Sequence, residues 1–214
     1  MDPTLSDEEV CWWLGVFHTD GYIYRKQGSV KEIRLWVGKP SMEMLDRWKG
    51  VLDRLTDKQH KVYSVKIYDK RYNTIRYNYS VREGSKKKIN LLIDFFGRKG
   101  NAVFSYPKTL SEKCFGAYLA GVIDGDGHIQ IRKRTYDKSF ERLIKISGTK
   151  DSELLRLVQS YLERFRMPKG YLVKYDNHSD LWIYVSKKFN RWLFEFTYPY
   201  ISIKRKFARG SCEL

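Results

Sequence analysis

The sequence predicts an α+β fold made of two copies of one αββαββα unit. Three observations carry this. The 214-residue chain repeats itself at about half its length. A helical apolar stripe opens each half. Segments that alternate apolar and polar residues then come in pairs, with a helical pattern after each pair.

The repeat shows when Asp20 is set against Asp126, an offset of 126 − 20 = 106. Gly15 then meets Gly121, Val16 meets Val122, Gly21 meets Gly127 and Ile23 meets Ile129. Further on, "VGKPSMEML" at 37–45 resembles "SGTKDSELL" at 147–155, with Gly38 opposite Gly148. Next, "YSVREGSKKKINLLIDF" at 79–95 resembles "IYVSKKFNRWLFEF" at 183–196. Each half closes on a Tyr-Pro step, at Pro107 and Pro199. Four matches in one order imply homologous halves, 1–108 and 109–214.

The elements follow in order. Val10, Trp13, Leu14 and Phe17 form a helical stripe behind a capping-box pattern at Ser6 and Glu9. In the second half Thr109 and Glu112 suit the same box. The stripe there is Phe115, Tyr118, Leu119, Val122 and Ile123. Gly21 and Gly127 are expected to stop these helices. Strands come next. Ile129 and Ile131 alternate against His128, Gln130, Arg132 and Arg134. Ile33, Leu35 and Val37 alternate against Arg34 and Trp36, and Ile75, Tyr77, Tyr79 and Val81 against Arg76, Asn78 and Ser80. Helical segments "SMEMLDRWKGVLDRL" and "DSELLRLVQSYLERF" follow the first strand pairs, and "KKINLLIDFF" and "KKFNRWLFEF" the second. Antiparallel hairpins with helices on one face leave the other sheet face basic and polar.

Composition narrows the partners. The formal net charge is +16, beyond the roughly 2–8 that solubility asks of a small domain. It points to a polyanion, nucleic acid before an anionic membrane surface. No apolar run approaches the ~20 residues of a membrane span. Cys11, Cys114 and Cys212 are far apart and form no C-x-x-C, so no zinc site or dithiol motif is signalled. The start, "MDPTLSDEE", has no signal-peptide pattern. The expectation is an intracellular protein, located with DNA and not secreted.

The first helix of each half carries a stripe of small residues: Cys11, Gly15 and Thr19, then Ala117, Gly121 and Gly125. Small residues four apart let helix backbones approach closely. Such a pairing brings the helix ends together, each carrying an acid, Asp20 and Asp126. A helix C-terminus disfavours a carboxylate by ~0.3–1 kcal/mol, and paired carboxylates repel further. A hard divalent cation such as Mg²⁺ would relieve both, with the freed carbonyls of Thr19 and Gly125 as extra ligands. Metal-assisted phosphodiester hydrolysis, one half-site per strand, fits that arrangement beside a basic sheet face.

"YLAGVIDGDG" at 118–127 resembles the LAGLIDADG motif of homing endonucleases, and "WLGVFHTDG" at 13–21 resembles a divergent first copy. Through the repeat the resemblance covers essentially the whole chain. It implies a monomer with two pseudo-symmetric halves, each presenting a saddle-shaped four-stranded sheet to the DNA major groove. It implies Mg²⁺-dependent cleavage of both strands across a minor groove, in an intron-encoded type of enzyme. Mn²⁺ is expected to substitute and Ca²⁺ to bind without supporting cleavage. The metal-ligand position of the motif falls on Asp20 and Asp126, with the Thr19 and Gly125 carbonyls helping. The family's basic residue near the scissile phosphate maps onto Lys113 and Lys204. Its polar residue after the second strand falls near Gly38 and Lys39 and near Gly148 and Thr149, where the glycines leave the role open.

Plainer readings stand beside these. Asp20 and Asp126 could simply close helices. Asp124 reads as a structural carboxylate, and His18, which replaces an acid of the motif, as a packed histidine. The calcium-loop spacing fails at His128. "SKKKINLL" reads as a helix with a basic outer face. Tyr24, Lys26, Arg34, Lys66, Arg76, Asn78, Gln130, Arg132, Arg134, Lys145 and Lys174 are the strand candidates for DNA contact, about half of them expected to touch it. Arginine and glutamine suit base edges, and lysine suits phosphates. The competing function is an RNA-splicing maturase that binds intron RNA, or a non-cleaving nucleic-acid-binding protein on the same scaffold. Intact acids at both motif ends favour cleavage.

Overall fold

The computed structural model describes residues 6–70, 73–97, 104–133, 140–204 and 206. The order is α1 (Asp7–Asp20), β1 (Gly21–Lys26), β2 (Ser29–Gly38), α2 (Met42–Thr56), β3 (Tyr63–Asp69), β4 (Thr74–Glu83) and α3 (Lys86–Phe96). The pattern then repeats as α4 (Glu112–Asp126), β5 (Gly127–Lys133), β6 (Phe140–Thr149), α5 (Glu153–Arg164), β7 (Tyr171–Lys174), β8 (His178–Tyr184) and α6 (Lys187–Phe196). This is the expected αββαββα, twice. Each half forms one antiparallel sheet, with strand orders β1-β2-β4-β3 and β5-β6-β8-β7.

By its contacts the chain divides into two compact units. One holds Ser6 and the described residues of Asp20–Lys108, and the other those of Thr109–Leu214 together with Asp7–Thr19. The first helix therefore packs with the second unit, although it opens the first half of the sequence.

In the first unit Ile33, Leu35, Val37 and Val81 line one sheet face and are buried. Met44, Leu45, Trp48, Val51 and Leu52 of α2 and Ile89, Leu92 and Ile93 of α3 are buried with them. The outer end of β4 has no such cover. Ile75 and Tyr77 keep the predicted alternation, yet about half of each is exposed. A buried charge network ties α2 to β4. His60 lies between Asp53 Oδ1 (Nδ1, 2.6 Å) and Glu83 Oε2 (Nε2, 2.9 Å). The Lys49 ammonium reaches Asp53 at 2.6 Å, and Lys58 donates to both Glu83 oxygens at 3.0 Å. Burial pushes both carboxyls up, but these donors outweigh it and hold Asp53 and Glu83 below their ordinary values.

In the second unit the core is Ile129, Ile144, Ile146, Leu181 and Ile183 from the sheet, with buried residues of α5, α6 and α4. Helices α1 and α4 approach backbone to backbone. A Cβ on Gly15 would run into the Tyr118 carbonyl oxygen, and one on Gly121 into the Trp12 carbonyl oxygen. The small stripes do what their spacing predicted. Cys11 and Cys114 are both free thiols, and burial raises the Cys11 thiol.

Two details depart from expectation. The cap of α4 is Ser111, whose Oγ accepts from the Cys114 N–H at 3.2 Å, not Thr109. Glu112 instead accepts from Trp192 Nε1 at 2.7 Å. The other is a one-residue slip in the repeat. Gly21 pairs with Leu35 and Gly127 with Ile146. Leu35 and Ile146 are therefore equivalent, and Gly38 corresponds to Thr149, not Gly148. The period of two then puts Gly148 on the core face, where a Cβ would lie 2.7 Å from Ser152 Oγ. Gly38 sits on the open face, with only Pro40 nearby.

Candidate active site

Helix α4 ends on Asp126, and β5 begins at the next residue. Gly127 has extended backbone, φ −81° and ψ 149°, and its N–H bonds the Ile123 carbonyl. It is needed there for space, not for a left-handed turn, because a Cβ would collide with Ile123. Helix and strand thus meet without a loop, and the acid stands at the start of the sheet. Helix α1 meets β1 the same way at Asp20 and Gly21.

The preceding acid has a different job. Asp124 is about 1% exposed. It accepts from Trp12 Nε1 at 2.9 Å, from the Ser202 N–H at 2.8 Å and from the Ile203 N–H at 2.9 Å. It is a structural carboxylate that pins α1 and the segment after α6 to α4. His18, the residue replacing its counterpart in the first motif, places Nδ1 2.9 Å from the Tyr118 hydroxyl and packs edge-on to that ring. Thr19 Oγ1 donates back to the Val16 carbonyl at 2.9 Å, which leaves its role in the site to its own backbone carbonyl.

A residue missed by sequence reasoning reaches the helix end. Lys206 Nζ donates to the carbonyls of Ile123 (2.8 Å), Asp124 (2.6 Å) and Gly125 (2.7 Å). It puts a positive charge on the negative pole of α4, beside Asp126. Asp126 is exposed, though the surrounding protein takes part of its carboxyl out of water. That partial burial raises its carboxyl, and the Lys206 charge opposes the rise.

The predicted Lys204 lies on the surface, two residues away. Ser202 and Ile203 are held by Asp124, so it is the side chain at 206 that turns to the helix end. Lys113 does not share this site. It lies in the first turn of α4, 13 residues from Asp126 (126 − 113) and so ~20 Å along the helix.

Strand register sorts the remaining candidates by face. Tyr24, Lys26, Arg34, Arg76 and Asn78 share the open face of the first sheet, and Gln130, Arg132 and Lys145 that of the second. Lys66 and Lys174 point to the opposite faces: Lys66 pairs with Tyr77, and Lys174 with Ser179. Arg134 lies outside the described residues. The open faces also carry Tyr22, Trp36, Tyr63, Arg82 and Trp182, which were not among the strand candidates. Arg82 lies 4.3 Å over the Tyr63 ring, and Arg34 5.4 Å from the Trp36 ring centre.

The donor set at each motif end is hard: one carboxylate and backbone carbonyls, with no sulfur. The Gly125 carbonyl accepts from the Lys206 ammonium at 2.7 Å, so an ion bound there would have to share that oxygen with it. These groups fit Mg²⁺ better than zinc or copper. Among the described residues no cluster of three or more His, Cys, Asp or Glu is placed to hold a metal, so any ion here keeps most of its sites for water or phosphate oxygen. Among the described residues no helix is long and apolar enough to cross a membrane.

Comparison with known proteins bears on this arrangement. Residues 115–195 match the family model of the LAGLIDADG-like domain. A comparison with curated proteins gives no match. Among solved structures, the homing endonuclease I-WcaI bound to its DNA recognition sequence superposes with a TM-score of 0.61 at 15% identity, over 95% of this chain and 87% of that one. The meganuclease I-SmaMI bound to uncleavable DNA gives 0.59 at 14% identity, over 96% and 87%. The LAGLIDADG homing endonuclease I-GzeII in complex with its DNA target gives 0.57 at 10%, over 94% and 87%. Residues 115–195 are thus similar to a LAGLIDADG-like domain, and the chain has the α+β fold, with two antiparallel sheets, of these solved homing endonucleases.

Proposed function

We propose that this protein is a sequence-specific double-strand DNA endonuclease of the homing type. It hydrolyses phosphodiesters with a divalent metal across the minor groove of a long target site. It works as a monomer, in an intracellular compartment that holds DNA. The observation that carries the reading is the junction at Asp126. An acid at a helix end, with a lysine on the neighbouring carbonyls, opens directly onto a sheet face of polar and basic side chains. The neighbours of this fold are described as DNA-bound endonucleases, which supports the same assignment.

In this reading Asp20 and Asp126, with the carbonyls of Thr19 and Gly125, would hold Mg²⁺, with Mn²⁺ able to replace it. The bound ion supplies Lewis acidity and an activated water. The chain does the rest. The sheet faces orient the duplex, and Lys206, whose ammonium donates to three carbonyls of α4, sets a fixed positive charge beside Asp126. Lys204, exposed nearby, is placed to grip a flanking phosphate.

The test is cleavage of a randomised duplex library with Mg²⁺, with Ca²⁺, and with Asp126→Asn. Double-strand products at one long site are expected with Mg²⁺ only. Outer partners of metal ligands cost about 10–100-fold when lost, so removing the ligand charge itself is expected to cut the rate by about 100-fold or more, with binding in Ca²⁺ retained. Retention of duplex without products in any metal would overturn the nuclease reading in favour of a binding protein, and retention of structured RNA alone in favour of a maturase.

A further inference from the structure

A face meant for a polyanion carries a set of acids. Each lies on the open side of its sheet, and each holds a cation of that same side. Arg34 Nε meets Glu32 at 2.7 Å, Arg132 Nε meets Glu141 at 2.8 Å, and Arg76 Nε meets Asp69 at 3.3 Å. The fourth pair is the most enclosed. Lys145 Nζ lies 2.9 Å from Asp180 Oδ2, and Ser147 Oγ donates to Asp180 Oδ1 at 2.7 Å. Asp180 is about 1% exposed, whereas the Lys145 side chain stays partly open and lies 5.5 Å from the Trp182 ring centre.

This pairing is wrong for gripping phosphates. A carboxylate against the ammonium cancels the charge that a phosphate would bind. It suits reading bases, where direction matters more than charge, because a lysine drawn against a fixed carboxylate has less freedom to lose on binding. Position agrees. Lys145 is on β6, between β5 and β8, so it projects from the middle of the sheet and not from its rim. It stands opposite His128, two residues beyond Asp126.

We propose that Lys145 is a specificity-determining residue that reads a guanine edge, O6 or N7, in the major groove at the innermost base pairs of the half-site bound by the second sheet. Asp180, assisted by Ser147, is its positioning residue. The covered Asp180 does not touch DNA; it fixes where Lys145 points and keeps it off the phosphates. The proposal rests on the duplex-binding reading above and adds which base is read and by which side chains.

The test uses the full chain and a randomised duplex library in Ca²⁺, with preference scored at each position and affinity measured against salt. Wild type, Lys145→Met, Asp180→Asn and the control Glu163→Gln, on the exposed surface of α5, are compared. Lys145→Met is expected to lower guanine preference about tenfold at one or two adjacent inner positions, and nowhere else. Asp180→Asn is expected to flatten the same positions while tightening binding to unselected duplex. Its log–log salt slope should steepen by about 0.9, the signature of one more phosphate contact. A merely structural Asp180 would lower the melting temperature and leave that slope alone. Unchanged preferences in both variants would overturn the proposal. So would a uniform loss in Lys145→Met with a slope shallower by about 0.9, which marks a phosphate grip. If Asp180→Asn fails to fold, Lys145→Met decides by the same criteria. No enrichment of any duplex by wild type would instead overturn the endonuclease reading itself, and this proposal with it.

Discussion

Asp124 and Asp126 are two residues apart and chemically identical, yet the fold gives them opposite work. Asp124 faces inward and satisfies three donors from two other segments. Asp124→Ala would leave the Trp12 indole and two backbone N–H groups buried without an acceptor. At ~1–3 kcal/mol for an unsatisfied group, with partial relief by relaxation, a loss of about 3–5 kcal/mol in urea unfolding is expected. Asp126→Asn is expected to change stability by less than about 1 kcal/mol, because the residue is exposed. Sequence pattern made this split readable, since the doubled motif placed one acid at each helix end. Lys206 was not readable in the same way. Its place depends on Ser202 and Ile203 docking on Asp124, a contact some 80 positions away in sequence, and nothing in "IKRK" tells the two lysines apart.

Elements show a second kind of legibility. The four-residue spacing of small residues predicted that α1 would lie against a partner helix, and Gly15 and Gly121 meet opposing carbonyls in α4 and α1. The obstacle to a side chain there is backbone, which cannot rotate away. Gly121→Ala is therefore expected to cost about 3 kcal/mol or more, read as a fall in thermal midpoint. Gly38→Ala is the contrasting case. It has ordinary extended backbone and open space, so a change within about 0.5 kcal/mol is expected, whereas Gly148→Ala must displace Ser152. Aligning these glycines by sequence hid that difference, because a one-residue slip exchanges the faces of a strand. The Asp53–His60–Glu83 network was also invisible, since its members belong to α2, a loop and β4. Its effect has a definite sign. Both carboxyls titrate below their ordinary values of 3.8 and 4.5. The stability they give is present above those values and is lost as pH falls through the lower folded ones. Wild type is expected to lose denaturant resistance steeply below about pH 4. The Asp53→Asn/Glu83→Gln variant should be weaker at pH 7 and show a flatter acid limb.

At the scale of the whole molecule the question is how a net charge of +16 is spent. If every cation gripped phosphate, affinity would be high and indiscriminate. The open sheet faces instead tie Arg34, Arg76, Arg132 and Lys145 to acids, so these side chains do not act as loose counterions. The rest of the basic surface carries the electrostatic attraction. Ion release then separates the two roles. A contact set of roughly 6–10 phosphates would lower affinity by about 10³–10⁵ between 50 and 200 mM salt, and that fall should be nearly the same for target and random duplex. The gap between the two, which base contacts set, is expected to survive the change in salt. Fluorescence anisotropy in Ca²⁺ across that range, on a selected target and a scrambled one, measures both curves together. Parallel lines would assign affinity to the basic surface and selectivity to the acid-paired side chains. A gap that closes as salt rises would mean that the paired cations leave their acids for phosphate, and that sequence is read by the shape of the duplex.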